Sequence, residues 1–143
     1  MVLAYPVVLT RDENGSIVAS FPDVPEALTS GADERNATHW AEDALVVALS
    51  GYVDRRKPIP PPSAAAEGQT TVLVPPLVAA KLAIYQTMRE QSVTQADLAG
   101  RLHCDARQVR RILNLDHHSR LDQIEAALAV LGKRLVVEIR EAA

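Results

Sequence analysis

The stretch "KPIPPPSAAAEGQ", residues 57–69, constrains this chain most, because it cannot lie inside a helix. Proline has no backbone N–H to donate, and its ring clashes with the preceding helical turn. The residues before this stretch are strand-like and then helical, whereas those after a short apolar run at 70–75 are mostly helical. We therefore predict an α+β domain over residues 1–75 and a mainly helical domain over residues 76–143.

The charge differs between the two parts of the chain. Residues 1–66 carry five Lys/Arg against nine Asp/Glu, a net charge of −4, whereas residues 67–143 carry ten against nine, a net charge of +1. Surfaces of different sign recruit different ligands. Only 3% of the residues are aromatic although 48% are hydrophobic, so the core must consist mainly of aliphatic side chains.

Cellular location and redox state follow from what the chain lacks. The single cysteine, Cys104, excludes an internal disulfide and a cysteine zinc cluster. The N-terminus has no signal-peptide pattern, and no run approaches the roughly 18 apolar residues of a membrane span. We expect a cytoplasmic protein without membrane contact and without a cofactor.

The first domain has a β-β-β-α-β pattern. Two β-rich runs, 3–11 and 16–21, flank Asn14-Gly15, a pair that supplies the positive φ angles of a tight hairpin. A short third strand is expected near 27–29, and a last one at 70–75. Asp33 is suited to cap a helix ending at about Arg56. Its apolar face comprises Ala37, Ala41, Ala44, Leu45, Ala48, Leu49 and Tyr52. We expect Phe21 to pack internally. For Trp40, packing against the sheet is favoured over the alternative, contact with a partner.

The second domain shows four helical stripes. The first comprises Leu77, Ala80, Ile84, Tyr85 and Met88. A second helix runs from Thr94 to Leu102, with Thr94 and Asp97 spaced as a capping box. Asp105 is suited to cap a third helix. The fourth carries Leu121, Ile124, Leu128 and Leu131, and Gly132 stands where a helix C-cap glycine belongs.

Residues 134–141 alternate in the manner of a half-buried strand, with Leu135, Val137 and Ile139 on one side. A lone strand on a helical domain needs a partner strand. The same segment of a second copy would supply it, so this pattern predicts a homodimer or higher oligomer through Leu135, Val137 and Ile139.

Four arginines fall within the eleven residues from Arg101 to Arg111. In the third helix Val109, Ile112 and Leu113 are expected to face inward, which leaves Arg107, Gln108, Arg110 and Arg111 outward. Two short helices joined by a tight turn form a helix-turn-helix, whose second helix enters the DNA major groove. Arginine binds guanine edges and phosphates, and Gln95 is placed to reach a phosphate. The alternative is a solvated helix face that only maintains solubility.

The segment "TQADLAGRL…VRRILN" resembles the helix-turn-helix of Xre-type, phage-repressor-like regulators. That family usually has glycine in the turn, where this chain has His103. A left-handed backbone is costlier for histidine than for glycine. The resemblance implies double-stranded operator DNA as a partner.

A second resemblance extends over nearly the whole chain. "YPVVL…GSIVASFPDVPEALTSG…AEDAL", "IPPPS" and the tail "ILNLDHHSRLDQIEAALAVLGKRL" look like the HicB-type antitoxins of bacterial toxin–antitoxin modules, in the branch with a C-terminal helix-turn-helix. The resemblance implies a degraded ribonuclease-H-like front domain that neutralises a small basic ribonuclease toxin of the HicA type. It also implies repression of the protein's own operon.

Two other functions compete with this interpretation. A dimeric transcriptional regulator without a toxin would use the front domain to sense a ligand or a protein. A ribonuclease-H-like enzyme needs several carboxylates converging on divalent metal ions. The first strand has no acid, and Asp23, Glu26, Glu42 and Asp43 have no ligand-like spacing. We therefore predict no catalytic residue and no metal site, leave the toxin-binding residues unassigned, and expect Cys104 to be a small buried side chain.

Overall fold

The computed structural model describes residues 2–142, which form two compact units. The N-terminal unit ends at Ala79 and the C-terminal unit begins at Ala80, four residues beyond the boundary that the sequence predicted. Strands precede α1 in the first unit and helices make up the second, so the predicted α+β class is confirmed.

The N-terminal unit contains five short strands and one long helix. They are β1 (Ala4–Pro6), β2 (Val8–Arg11), β3 (Ile17–Ser20), β4 (Leu28–Gly31), α1 (Glu34–Asp54) and β5 (Thr71–Leu73). Antiparallel pairing joins β2, β3 and β4 in that order, and β1 pairs with β5. The single first strand that we predicted is interrupted at Val7, whose N–H donates to the Thr70 carbonyl at 3.0 Å. The chain therefore passes from one sheet to the other at this residue.

The β2–β3 hairpin is wider than the predicted two-residue turn. Of the pair Asn14-Gly15, only Gly15 has a positive φ, at 87°. The Gly15 N–H donates to the Asp12 carbonyl at 3.0 Å, and the Asp12 N–H to the Ser16 carbonyl at 2.7 Å. The Asn14 side chain accepts from the Ser16 N–H at 3.0 Å and so stabilises the turn with Asn14 at negative φ.

Helix α1 begins as its sequence predicts. The Asp33 side chain accepts a hydrogen bond from the Asn36 N–H at 2.8 Å, which satisfies one free donor of the first turn. Its buried face comprises Ala37, Ala41, Leu45, Ala48 and Leu49. Phe21 is buried as expected, but Trp40 is 47% exposed, so the favoured packing against the sheet is wrong and contact with a partner stays a prediction. Trp40 lies outside this buried face of α1.

The proline stretch is attached to the N-terminal unit. The Tyr5 hydroxyl donates to the Pro60 carbonyl at 2.6 Å, and burial raises the pKa of Tyr5 to about 12. The Ser63 hydroxyl and N–H donate to the Asp23 carboxylate at 2.6 and 2.8 Å. These contacts place the stretch against β1 and the β3–β4 connection.

Four helices follow β5, as predicted, and the first of them begins within the last residues of the N-terminal unit. They are α2 (Pro76–Gln91), α3 (Gln95–Leu102), α4 (Ala106–Leu113) and α5 (Leu121–Val130). Their shared core includes Leu82, Ile84, Leu98, Val109, Ile112, Ile124 and Leu128. Gly132 has φ +79°, and the Lys133 N–H donates to the Leu128 carbonyl at 2.8 Å. This confirms the predicted glycine cap at the end of α5.

The predicted C-terminal strand does not form in the single chain. Residues 133–142 have no helix or strand in the single chain, so the strand expected at residues 134–141, which requires a second copy, stays a prediction. Strand hydrogen bonds require a neighbouring strand, and this segment pairs with no strand of its own chain. Leu135 is half-buried, whereas Val137 and Ile139 are 68% and 87% exposed.

Candidate nucleic-acid interface

Helix α3 starts with a complete capping box. The Thr94 hydroxyl accepts from the Asp97 N–H, and the Asp97 carboxylate accepts from the Thr94 N–H, both at 3.0 Å. The Thr94 N–H is the main cause that lowers the pKa of Asp97 below its ordinary value. Gln95, the first residue of α3, is exposed beside this fixed helix end.

The turn between α3 and α4 depends on one left-handed residue. His103 has φ 53° and ψ 45°, and the Cys104 N–H donates back to the Ala99 carbonyl at 3.0 Å. Asp105 then caps α4 by accepting from the Gln108 N–H at 2.8 Å. Cys104 itself is half-buried rather than buried. A three-residue turn thus ends one helix and starts the next.

Helix α4 separates apolar and cationic side chains. Its buried residues are Val109, Ile112 and Leu113. Arg107, Arg110 and Arg111 are exposed, as the sequence predicts, whereas Gln108 is half-buried. Within residues 2–142 no carboxylate forms an ion pair with these three arginines. Their guanidinium groups therefore have all their donors available to an anionic partner.

The C-terminal end of α4 is held by a buried lysine. Lys81 of α2 is fully buried, and its ammonium donates at 2.8 Å to each of three acceptors: the Arg111 carbonyl, the Asn114 carbonyl and the Ser119 hydroxyl. Burial lowers the pKa of Lys81 to about 8, so the group is still mostly protonated at neutral pH. A cation at a helix C-terminus compensates the partial negative charge of the free carbonyls.

The family is settled by comparison with known proteins. The family model of the HicB-like antitoxins of bacterial toxin–antitoxin systems matches residues 4–83. Antitoxin HicB 2 of Photorhabdus laumondii is 41% identical over 133 residues, which is 93% of this chain and 94% of the relative. Antitoxin HicB of Escherichia coli K12 is 35% identical over 133 residues, 93% of this chain and 96% of that protein. Antitoxin HicB of Pseudomonas fluorescens is 37% identical over 92% of this chain and 91% of that protein.

This chain belongs to the HicB-like antitoxin family. Membership assigns it an antitoxin role in a toxin–antitoxin module and confirms the resemblance to the HicB-type antitoxins, whereas the branch with a C-terminal helix-turn-helix stays a prediction. HicB-like antitoxins are regulatory proteins rather than enzymes, which confirms the expectation of no enzymatic activity. Within residues 2–142, none of the helices is long and apolar enough to span a membrane.

Sequence reasoning missed Lys81 in this antitoxin. The sequence did contain an indication that this lysine is buried, because Lys81 lies four residues after Leu77 and four before Tyr85 in the apolar stripe of α2. A charged residue in such a stripe is rarely buried unless it is paired. The sequence does not reveal the acceptors, which are provided by the end of α4 and the following loop.

Proposed function

We propose that this antitoxin binds promoter DNA through α3 and α4, arranged as a helix-turn-helix, and neutralises a ribonuclease toxin through its N-terminal unit. The observation that carries the DNA-binding part is the exposed, unpaired arginine face of α4. Arg107, Arg110 and Arg111 lie opposite a fully apolar face, on a short helix that follows a tight turn.

The proposed interface reads DNA mainly with arginine. A guanidinium forms two hydrogen bonds to guanine O6 and N7, or it neutralises a phosphate. Gln95 lies at the N-terminus of α3, where free N–H groups attract a phosphate oxygen. Gln108 is half-buried and has less reach than the arginines, so we assign it a supporting contact.

The proposed toxin is a small basic ribonuclease of the HicA type, bound by a degraded ribonuclease-H-like scaffold. Support comes from the family, from the sequence resemblance, and from the net charge of −4 over residues 1–66. Opposite charges chiefly accelerate the encounter, whereas apolar contacts determine the residence time.

A dimer would present two recognition helices. We assign its interface to Leu135, Val137 and Ile139, because the last two are largely exposed apolar residues on a segment with an alternating pattern. Pairing two such segments as strands would satisfy their backbone hydrogen bonds and cover these side chains. Two-fold symmetry then predicts operator half-sites about 34–36 Å apart. Val137→Asp should convert a dimer into monomers in light-scattering measurements and lower operator affinity.

The deciding experiment measures both functions on one full-length preparation. Operator binding is followed by fluorescence anisotropy on a fragment of the protein's own promoter at several salt concentrations, and neutralisation by growth rescue on co-expression with the neighbouring toxin gene. Affinity should fall steeply with salt, because arginine–phosphate contacts release counterions. Sequence-specific binding together with rescue supports the proposal, and loss of either refutes the corresponding half.

A further inference from the structure

The N-terminal unit has an open groove between its outer strand β4 and the exposed side of α1. The groove has a volume of about 340 Å³ and is lined mainly by Glu26, Leu28, Ala44, Val47, Gly51 and Arg55. Strand β4 pairs only with β3 in the described chain. We call this feature the β4–α1 groove.

Large apolar side chains are exposed at this groove and next to it. Leu28 is 63% exposed and Val47 is 70% exposed. Trp40, which is 47% exposed, lies seven residues before Val47, which is two helical turns along the same face of α1. A rim of carboxylates accompanies them, since Asp43 and Asp54 are exposed on this face. Exposed apolar side chains with a polar rim are typical of protein interaction sites.

One end of the groove is preorganised. The Tyr52 hydroxyl donates to both oxygens of Glu26, at 2.7 and 2.6 Å, and the Arg55 guanidinium lies 5.4 Å from the centre of the Tyr52 ring. The absence of a side chain at Gly51 leaves room for the Arg55 guanidinium, because a Cβ at position 51 would lie 3.1 Å from Nη1 of Arg55. The last turns of α1 are thus connected to the segment before β4, and a partner would not have to order them.

We propose that the β4–α1 groove receives an apolar side chain of a basic protein partner. Leu28 and Val47 are the contact residues in the groove, and the partner also covers Trp40, two turns away on the same face of α1. The partner is the toxin, so this inference rests on the proposed function. The charge of the surface favours a basic partner. The rim of the groove has three carboxylates, Glu26, Asp43 and Asp54, and one cation, Arg55. Residues 1–66 as a whole carry a net charge of −4. Tryptophan is the residue type most enriched among interface residues that dominate affinity.

The test compares two substitutions that differ only in charge. Val47→Glu and Val47→Lys both remove the apolar contact from an exposed helix position that tolerates either side chain. We expect Val47→Glu to weaken toxin binding by about tenfold. Val47→Lys should weaken it by at least about threefold more, because it adds a positive charge facing a basic partner. The matched controls, Leu73→Glu and Leu73→Lys, change a 54% exposed residue of β5 outside the groove and should bind as the parent does.

A direct signal comes from Trp40, the only tryptophan of the chain. Its fluorescence emission, obtained as the difference from a Trp40→Phe variant, should shift to shorter wavelength when the toxin covers it. All measurements use the full-length protein, with circular dichroism to verify folding and operator binding as the independent activity.

The outcomes separate this inference from the proposed function. If the parent chain binds the toxin and both Val47 variants bind it as tightly as the parent does, the groove is not the toxin surface, although the antitoxin function stands. If the parent chain binds no toxin, both fail. If Val47→Lys lowers the oligomeric mass of the antitoxin alone, the groove is a contact between copies of this chain and the proposal is overturned.

Discussion

The Lys81 ammonium lies 2.8 Å from the carbonyl oxygen of Arg111, so a buried cation of α2 contacts the backbone of a residue whose own guanidinium is exposed. The same ammonium donates to the Asn114 carbonyl, which immediately follows α4. The helix that we assign to DNA is therefore fixed at its C-terminal end by a side chain that never reaches the surface. Arrangement of the arginine face depends on this contact.

Lys81→Met should destabilise the protein by about 2 kcal/mol at neutral pH, because the Arg111 and Asn114 carbonyls and the Ser119 hydroxyl each lose one hydrogen-bond donor while methionine retains most of the volume. The free energy of unfolding from urea titration measures the loss. Lys133→Met is the control, since Lys133 is exposed. Equal effects of both substitutions would contradict a structural role for the buried ammonium.

The stability contribution of Lys81 should depend on pH in a defined direction. Burial lowers its pKa from 10.5 to about 8. The unfolded chain therefore binds more protons between these values, and the free energy of unfolding increases with pH in that window. Between about pH 8 and 9.5 the parent chain should gain about 1.5 kcal/mol relative to Lys81→Met. A constant difference between the two proteins across that range would show that the pKa of Lys81 is not lowered.

Arg107→Ala or Arg110→Ala should weaken operator binding by about tenfold. Where the arginine contacts a phosphate, the number of counterions released on binding, given by the slope of log affinity against log salt concentration, should fall by about one. Neutralisation of the toxin should be unchanged. Arg120→Ala is the matched control, because Arg120 is an exposed arginine that pairs with Asp122 at 2.8 Å outside α4. The division of labour proposed for the two units would be refuted if either α4 variant remained folded and lost neutralisation.

His103→Gly should raise the free energy of unfolding by about 0.5–1 kcal/mol. A left-handed backbone costs a residue with a Cβ about 1–2 kcal/mol, and part of the gain is offset by the greater backbone entropy of glycine in the unfolded chain. Ala99→Gly, inside α3, should instead lower the free energy of unfolding by about 1 kcal/mol. Thermal and urea unfolding of both variants would test this, and destabilisation by His103→Gly would indicate that the imidazole makes a favourable contact.

Some local features could be predicted because the residues that form them are close in sequence. The caps of α1, α3 and α4 each need one side chain and an N–H three residues away, so Asp33, Thr94 and Asp105 identify them. The inward face of α4 follows from periodicity in the same way. The position of Trp40 was mispredicted, because hydrophobicity does not state which side of a helix the neighbouring sheet covers.

By itself the amino-acid sequence determined the fold class, the N-terminal caps of α1, α3 and α4, and the family, since these depend on short-range spacing and on motifs that can be read along the chain. Only the tertiary structure decided that Lys81 is buried under the end of α4, that the chain changes sheets at Val7, and that residues 134–141 remain without a strand. Each of these depends on which distant backbone groups are available as hydrogen-bond partners. Helical and strand periodicity indicates an apolar face, but it does not specify the partners.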